Sequence, residues 1–142
     1  MNAAHNLTTI GWREHIDLEE WGISKLRVKV DTGARTSSIH VRNIEELEDD
    51  FIKFEVVIKE KPVRKTVVVT AKTIRKSIVK SSNGIKQNRY VCKTKFKLGE
   101  VEKDIDISLV CRAGMLCRML LGRKALEDSF VVDSSKRYLI KK

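Results

Sequence analysis

The stretch Leu26-Arg27-Val28-Lys29-Val30-Asp31-Thr32-Gly33-Ala34 decides how the rest of the chain is read. Leu26, Val28 and Val30 alternate with Lys25, Arg27 and Lys29, the two-residue period of a half-buried strand. That strand delivers Asp31 at its end. A small hydroxyl residue follows, then a glycine whose backbone can approach closely and donate to the carboxylate. By itself an Asp-Thr-Gly triplet is a weak signal, arising by chance in about a few per cent of chains of this length, so its weight depends on the residues around it.

Outward from this strand, alternation recurs at Ile52, Phe54, Val56, Ile58, at Tyr90, Cys92, Thr94, Phe96, Leu98, and at Ile105, Ile107, Leu109, Cys111. β-Branched runs at Val67-Val68-Val69 and Phe130-Val131-Val132 add further strands. Turn signals at Lys61-Pro62, Asn83-Gly84 and Leu98-Gly99-Glu100 separate them. Only Gly122-Arg123-Lys124-Ala125-Leu126-Glu127-Asp128 has good helix formers after a glycine, enough for about two turns. The pattern predicts an all-β domain, a barrel or sandwich, with one short helix near the C-terminus.

The 142 residues fit one domain able to bury a core without disulfides or metals. The single proline, Pro62, and the lack of linkers or fixed-period repeats give no reason to divide the chain. The expected organisation is an N-terminal tail over 1–10 and one domain over 11–142. No stretch reaches the roughly 18 unbroken apolar residues of a membrane span, and Met1 to Thr9 lack the pattern of a signal peptide. Cys92, Cys111 and Cys117 are an odd number among apolar neighbours, as expected of reduced thiols in the cytoplasm. Lys and Arg total 29 against 19 Asp and Glu, a formal charge of +10 that attracts polyanions. Lysines on outward strand positions also serve simply as a solvated face and edge protection. With few aromatics to stack on bases, nucleic acid is not the expected partner.

A second feature is Met119-Leu120-Leu121-Gly122-Arg123, an apolar strand ending in glycine before the predicted helix. An apolar strand into Asp-Thr-Gly-Ala, followed much later by two apolar residues and Gly-Arg before a helix, resembles the retropepsin-like aspartic proteases. A closer resemblance covers nearly the whole chain. Gly11-Trp12-Arg13-Glu14, Val30 through Ser38, Ser81-Ser82-Asn83-Gly84, Leu120 through Leu126 and Phe130-Val131-Val132-Asp133 look like the bacterial and archaeal group labelled ATP-dependent zinc proteases. That group is similar to retropepsins in fold, and some members accompany ATP-grasp ligases that append glutamates to ribosomal protein tails. Five segments in order are far more specific than one triplet.

The resemblance implies a closed acid-protease barrel and a mechanism with two carboxylates sharing one proton. The chain holds one Asp-Thr-Gly and is too short for two lobes, so the second carboxylate would be Asp31 of a second copy in a two-fold homodimer. By resemblance, Asp31 is catalytic and Thr32 would hydrogen-bond across the axis. Gly33 would support the carboxylate, with Ala34, Leu120, Leu121 and Gly122 completing the loop and the element packed beneath it. Arg35, Asn83, Gly84, Arg89 and Arg123 are the candidate substrate-binding residues, and Arg35 would lie beside the catalytic loop, where an acidic substrate would use it. Each has a plainer reading. Asp31 could cap a turn, Asn83-Gly84 could be only a hairpin turn, and the arginines could be solvated charges. No Gly-rich flap tip is evident; Lys59 to Arg64 is the better positional candidate, although it carries charges.

His5, His15 and His40 fall in no His-Glu-x-x-His pattern, and there is no Cys-x-x-Cys spacing or phosphate-binding Gly-x-x-x-x-Gly-Lys loop. No metal or other cofactor is therefore expected in the chain, and any ATP would be used by a partner. The leading expectation is an aspartic peptide hydrolase acting on an acidic polypeptide. The alternative is a retropepsin-like module that binds an acidic tail or an ATP-grasp ligase without cutting, and predicts a monomer or a dimer with separated Asp31 carboxylates. A third class, a basic RNA-binding barrel, predicts affinity falling steeply with salt.

Overall fold

The computed structural model describes residues 7–59, 61–80, 84, 86–110 and 118–140. The strands are β1 (Thr8–Gly11), β2 (Arg13–Leu18), β3 (Ile23–Val30), β4 (Ser37–Glu46), β5 (Phe51–Lys59), β6 (Lys65–Lys80), β7 (Lys86–Leu98), β8 (Val101–Val110), β9 (Met119–Leu121) and β10 (Phe130–Asp133); the helix is α1 (Arg123–Leu126). The main sheet runs in the order β2-β3-β9-β4-β5-β6-β7-β8. Two further pairings bend it back on itself: β2 meets β7 at Asp17 and Lys97, and β4 runs parallel to β8 from Ser37 opposite Ile107 to His40 opposite Val110. The result is the expected all-β, retropepsin-like closed sheet. No helix among the described residues is long and apolar enough to cross a membrane.

Alternation builds the core as the sequence requires. Leu26, Val28 and Val30 are buried on β3, as are Ile52, Phe54 and Val56 on β5, and Ile105, Ile107 and Leu109 on β8. Phe54 and Phe96 are among the largest fully buried side chains, and each such side chain withdrawn from water contributes about 1.5–3 kcal/mol. Trp21 packs edge-on against Phe54 with ring centroids 5.3 Å apart.

Two local expectations differ from the structure. Ordered chain is present before residue 11: Thr8–Gly11 pairs in parallel with Phe130–Asp133, and Ile10 is buried. The helix expected over 122–128 is a single turn. The Glu127 N–H still reaches the Arg123 carbonyl at 3.0 Å, but Asp128 takes a left-handed φ of 62°, a conformation that ends helices. Cys92 is buried, and burial pushes its thiol up to about 11. Cys111, Cys117 and Asn83 lie outside the described residues.

Candidate active site

β9 is inserted between β3 and β4, parallel to the first and antiparallel to the second. Its pairing sets Val30 opposite Leu121, so β3 and β9 end together and their following residues, Asp31 and Gly122, emerge side by side. The Asp31 N–H donates to the Leu121 carbonyl at 2.9 Å, which fixes the aspartate's backbone to the core. The loop then turns within a few residues. The Ala34 N–H donates to the Asp31 carbonyl at 3.2 Å, and the Gly33 N–H donates to Asp31 Oδ1 at 3.0 Å. Asp31 is half-buried and Thr32 and Gly33 are exposed, so the carboxylate sits at an accessible rim with one oxygen held by backbone.

The glycine gives the carboxylate room. A Cβ on Gly33 would lie 3.3 Å from Asp31 Oδ1, crowding the oxygen its N–H supports.

Gly122 and α1 pack against the same loop. The Arg123 N–H donates to the Ala34 carbonyl at 2.8 Å and the Lys124 N–H to the Arg35 carbonyl at 3.1 Å. Helix N-terminal N–H groups have no partner within their own helix; here the loop carbonyls satisfy them. Ser37 Oγ accepts the Gly122 N–H at 3.0 Å in a buried bond, and Arg123 Nη1 donates to the Thr32 carbonyl at 3.3 Å.

Asp31, Thr32, Gly33, Ala34, Leu120, Leu121, Gly122 and Arg123 are thus brought into one constellation. Arg35 follows the loop and is exposed. Arg89 and Gly84 lie elsewhere, on the β6–β7 ribbon, where Arg89 pairs with Ser77 and Gly84 takes φ 86° beyond the last pair, Lys80 and Lys86. Two residues escaped sequence reading. Ser37 belongs to the hydroxyl-rich run Thr36-Ser37-Ser38 directly after the loop, which was a usable signal. Glu14 shares the inward face of β2 with Ile16 and Leu18, and a carboxylate on an apolar face signals a buried anchor. It is fully buried, accepting the Gly11 N–H at 2.7 Å, the Leu139 N–H at 2.9 Å and the Ile140 N–H at 3.3 Å.

Where β4, β6 and β7 meet, Lys76 Nζ lies 3.0 Å from Glu46 Oε1 and the Tyr90 hydroxyl donates to Glu46 Oε2 at 2.8 Å. The lysine and tyrosine hold the Glu46 carboxyl below its usual range. On either side of Lys76 the ribbon stands clear: Ile74 through Ile78 are all exposed. The Lys59–Arg64 turn differs, since Val56 and Val57 just before it are buried.

Beside Thr32 a cavity of about 400 Å³ is lined by the apolar Leu126, Phe130 and Val132 together with Arg123, Glu127 and Asp128.

A strand-borne Asp-Thr-Gly loop over a Leu-Leu-Gly-Arg element in a closed sheet is the retropepsin-like arrangement that the sequence resemblance implied. Residues 9–142 match the RimB-like family, described as retropepsin-like aspartic endopeptidase RimB, and the chain belongs to that family. It is 38% identical over 127 residues to a protein of Desulfotalea psychrophila named "Probable alpha-L-glutamate ligase", covering 87% of this chain and 27% of the relative. A protein of the same name from Shewanella pealeana is 32% identical over 134 residues, covering 88% of this chain and 29% of the relative. The chain therefore spans less than a third of the length of these curated relatives. A crystal structure of a Legionella pneumophila protein of unknown function (DUF785) superposes with a TM-score of 0.76 at 28% identity, covering 94% of this chain and 98% of that one.

The zinc in the group's label has no fitting site among the described residues, where no three His, Cys, Asp or Glu side chains gather to hold a metal.

Proposed function

We propose that the chain is an aspartic peptide hydrolase whose active site forms between two copies, each contributing Asp31. The observation that carries this reading is the Asp31 loop: the carboxylate is accessible, its backbone is tied to β9, and Oδ1 is held by the Gly33 N–H. In an aspartic dyad one carboxylate is ionised and the other protonated, because two adjacent like charges cannot both be maintained. The ionised Asp31 takes a proton from water as the water oxygen attacks the scissile carbonyl carbon. The protonated Asp31 hydrogen-bonds and then protonates the carbonyl oxygen. Collapse of the tetrahedral intermediate breaks the C–N bond as a diol hydroxyl returns its proton to the second Asp31, and the proton taken from water passes from the first Asp31 to the leaving nitrogen.

Several features support the dimer. The cavity beside Thr32, with Leu126, Phe130 and Val132 in its lining, offers a surface for a second copy, and Val131 on β10 and Leu7 just before β1 are large, apolar and exposed. Arg123, which bonds the Thr32 carbonyl, would hold the loop at the axis rather than meet substrate. The β6–β7 ribbon, exposed beyond Glu46, is the better candidate for covering the cleft than the Lys59–Arg64 turn anchored by Val56 and Val57. The +10 charge favours an acidic polypeptide substrate, and a reducing, cytoplasmic setting suits the buried Cys92 thiol.

The test is cleavage of a protein bearing an oligoglutamate tail. Asp31→Asn, which keeps the loop's shape but cannot ionise, should abolish product formation while leaving the circular dichroism spectrum and melting temperature of the folded chain unchanged. Cleavage at the wild-type rate would remove the assignment. A second reading, a binding module serving a ligase, is favoured by the relatives' names and by the domain filling only 27–29% of their length. It predicts substrate binding without turnover, and a monomer by light scattering or a dimer whose Asp31 carboxylates stand too far apart to share a proton.

A further inference from the structure

A cluster of positive charge lies away from the Asp31 loop, in a cavity of about 400 Å³ lined by His15, Lys25, Arg27, Ile58, Lys59, Lys61 and Arg118. Four segments converge there. Lys25 and Arg27 occupy outward positions of β3, and His15 faces Arg27 across the β2–β3 ladder. Lys59 and Lys61 come from the β5–β6 turn. Arg118 immediately precedes β9, whose Met119 pairs with Val28, so Arg118 and Arg27 stand on adjacent strands. Neighbouring strands are only about 4.8 Å apart, and like charges so placed repel. No carboxylate is among the described lining residues. A concave site that gathers cations from four segments attracts an anion.

The chemistry narrows the anion. The volume is at the low end of ligand pockets, which run roughly 300–1,000 Å³. Among the described lining residues His15 alone carries a ring, and it is already stacked on Tyr138 at 4.7 Å between centroids, a poor platform for a nucleic-acid base. Lysines on a turn and arginines on a strand suit several separate carboxylates. Position adds a length. Arg27 precedes Asp31 by four residues on one strand, and four residues of strand span about 13 Å. An extended peptide with its scissile bond at Asp31 needs about four residues to reach the cavity.

We propose that this basic cavity is an anchoring subsite for a carboxylate-rich segment of the polypeptide substrate, about four residues from the bond held at Asp31. The assignment rests on the peptide-hydrolase reading, but its test is a binding measurement that requires no turnover. A fluorescent oligoglutamate peptide is titrated with the Asp31→Asn chain, read by anisotropy. Lys59→Glu with Lys61→Glu, confined to an exposed turn, should weaken binding roughly tenfold or more, and Arg27→Gln should weaken it in the same direction. Lys72→Glu, on exposed β6 away from the cavity, should leave affinity within about twofold.

Equal losses from the turn variant and Lys72→Glu would reduce the effect to net charge and overturn the subsite. So would unchanged binding in the turn and Arg27 variants. Tighter binding of a single-stranded RNA, lost with the same substitutions, would overturn the peptide assignment. If Asp31→Asn retains cleavage, the hydrolase reading falls while the binding result stands on its own.

Discussion

Gly122 is required for steric rather than conformational reasons. Its φ of −88° and ψ of 177° suit any residue, yet a Cβ there would lie 2.5 Å from the Thr36 carbonyl oxygen and 2.6 Å from its carbon. Backbone cannot swing aside as a side chain can. Gly122→Ala should therefore destabilise the fold by about 3 kcal/mol, the upper end of ordinary overpacking, seen as a lower urea midpoint; an unchanged midpoint would contradict the close packing. The sequence resemblance marked Gly122 and Asp31 as belonging together. It could not show why, because the crowding comes from Thr36, 86 residues away in the chain. The run Thr36-Ser37-Ser38 drew notice to a hydroxyl after the loop, but its partner was illegible for the same reason: nothing local to residue 37 reveals a donor at 122.

At the scale of elements, the strands carrying the core were legible because their inward positions are apolar. β3, β5, β7 and β8 follow the alternation of their sequences. The outer half of β6 was not legible: Ile74-Arg75-Lys76-Ser77-Ile78 is exposed throughout, so no buried face imposes a two-residue period. The helix was overestimated because propensity favours its residues while Asp128 adopts a left-handed turn. Glu14 shows an element held by polar rather than apolar burial. It joins β1 to the segment after β10 by accepting N–H groups from Gly11, Leu139 and Ile140. Glu14→Ala leaves these donors without their acceptor, each costing about 1–3 kcal/mol when buried. We expect a loss of roughly 3 kcal/mol or more and faster amide hydrogen exchange at Leu139 and Ile140. Exchange unchanged at those amides would show that the segment is anchored otherwise.

At the scale of the molecule, the +10 charge was visible at once, but its concentration was not. Lys25, Arg27, Lys59, Lys61 and Arg118 are dispersed along the chain and meet only through the β2–β3–β9 arrangement and the β5–β6 turn. The same fold exposes one Asp-Thr-Gly loop per chain, beside the Thr32 cavity, so the proposed chemistry depends on assembly. Mixing tests that dependence most directly. Wild-type and Asp31→Asn chains are combined at fixed total concentration, allowed to exchange subunits, and assayed on the oligoglutamate-tailed protein. If each site needs both carboxylates, activity follows the square of the wild-type fraction, falling to about a quarter at equal mixing. Activity of about one half, linear in the wild-type fraction, would mean that each chain acts with its own Asp31 alone, and would contradict the shared dyad.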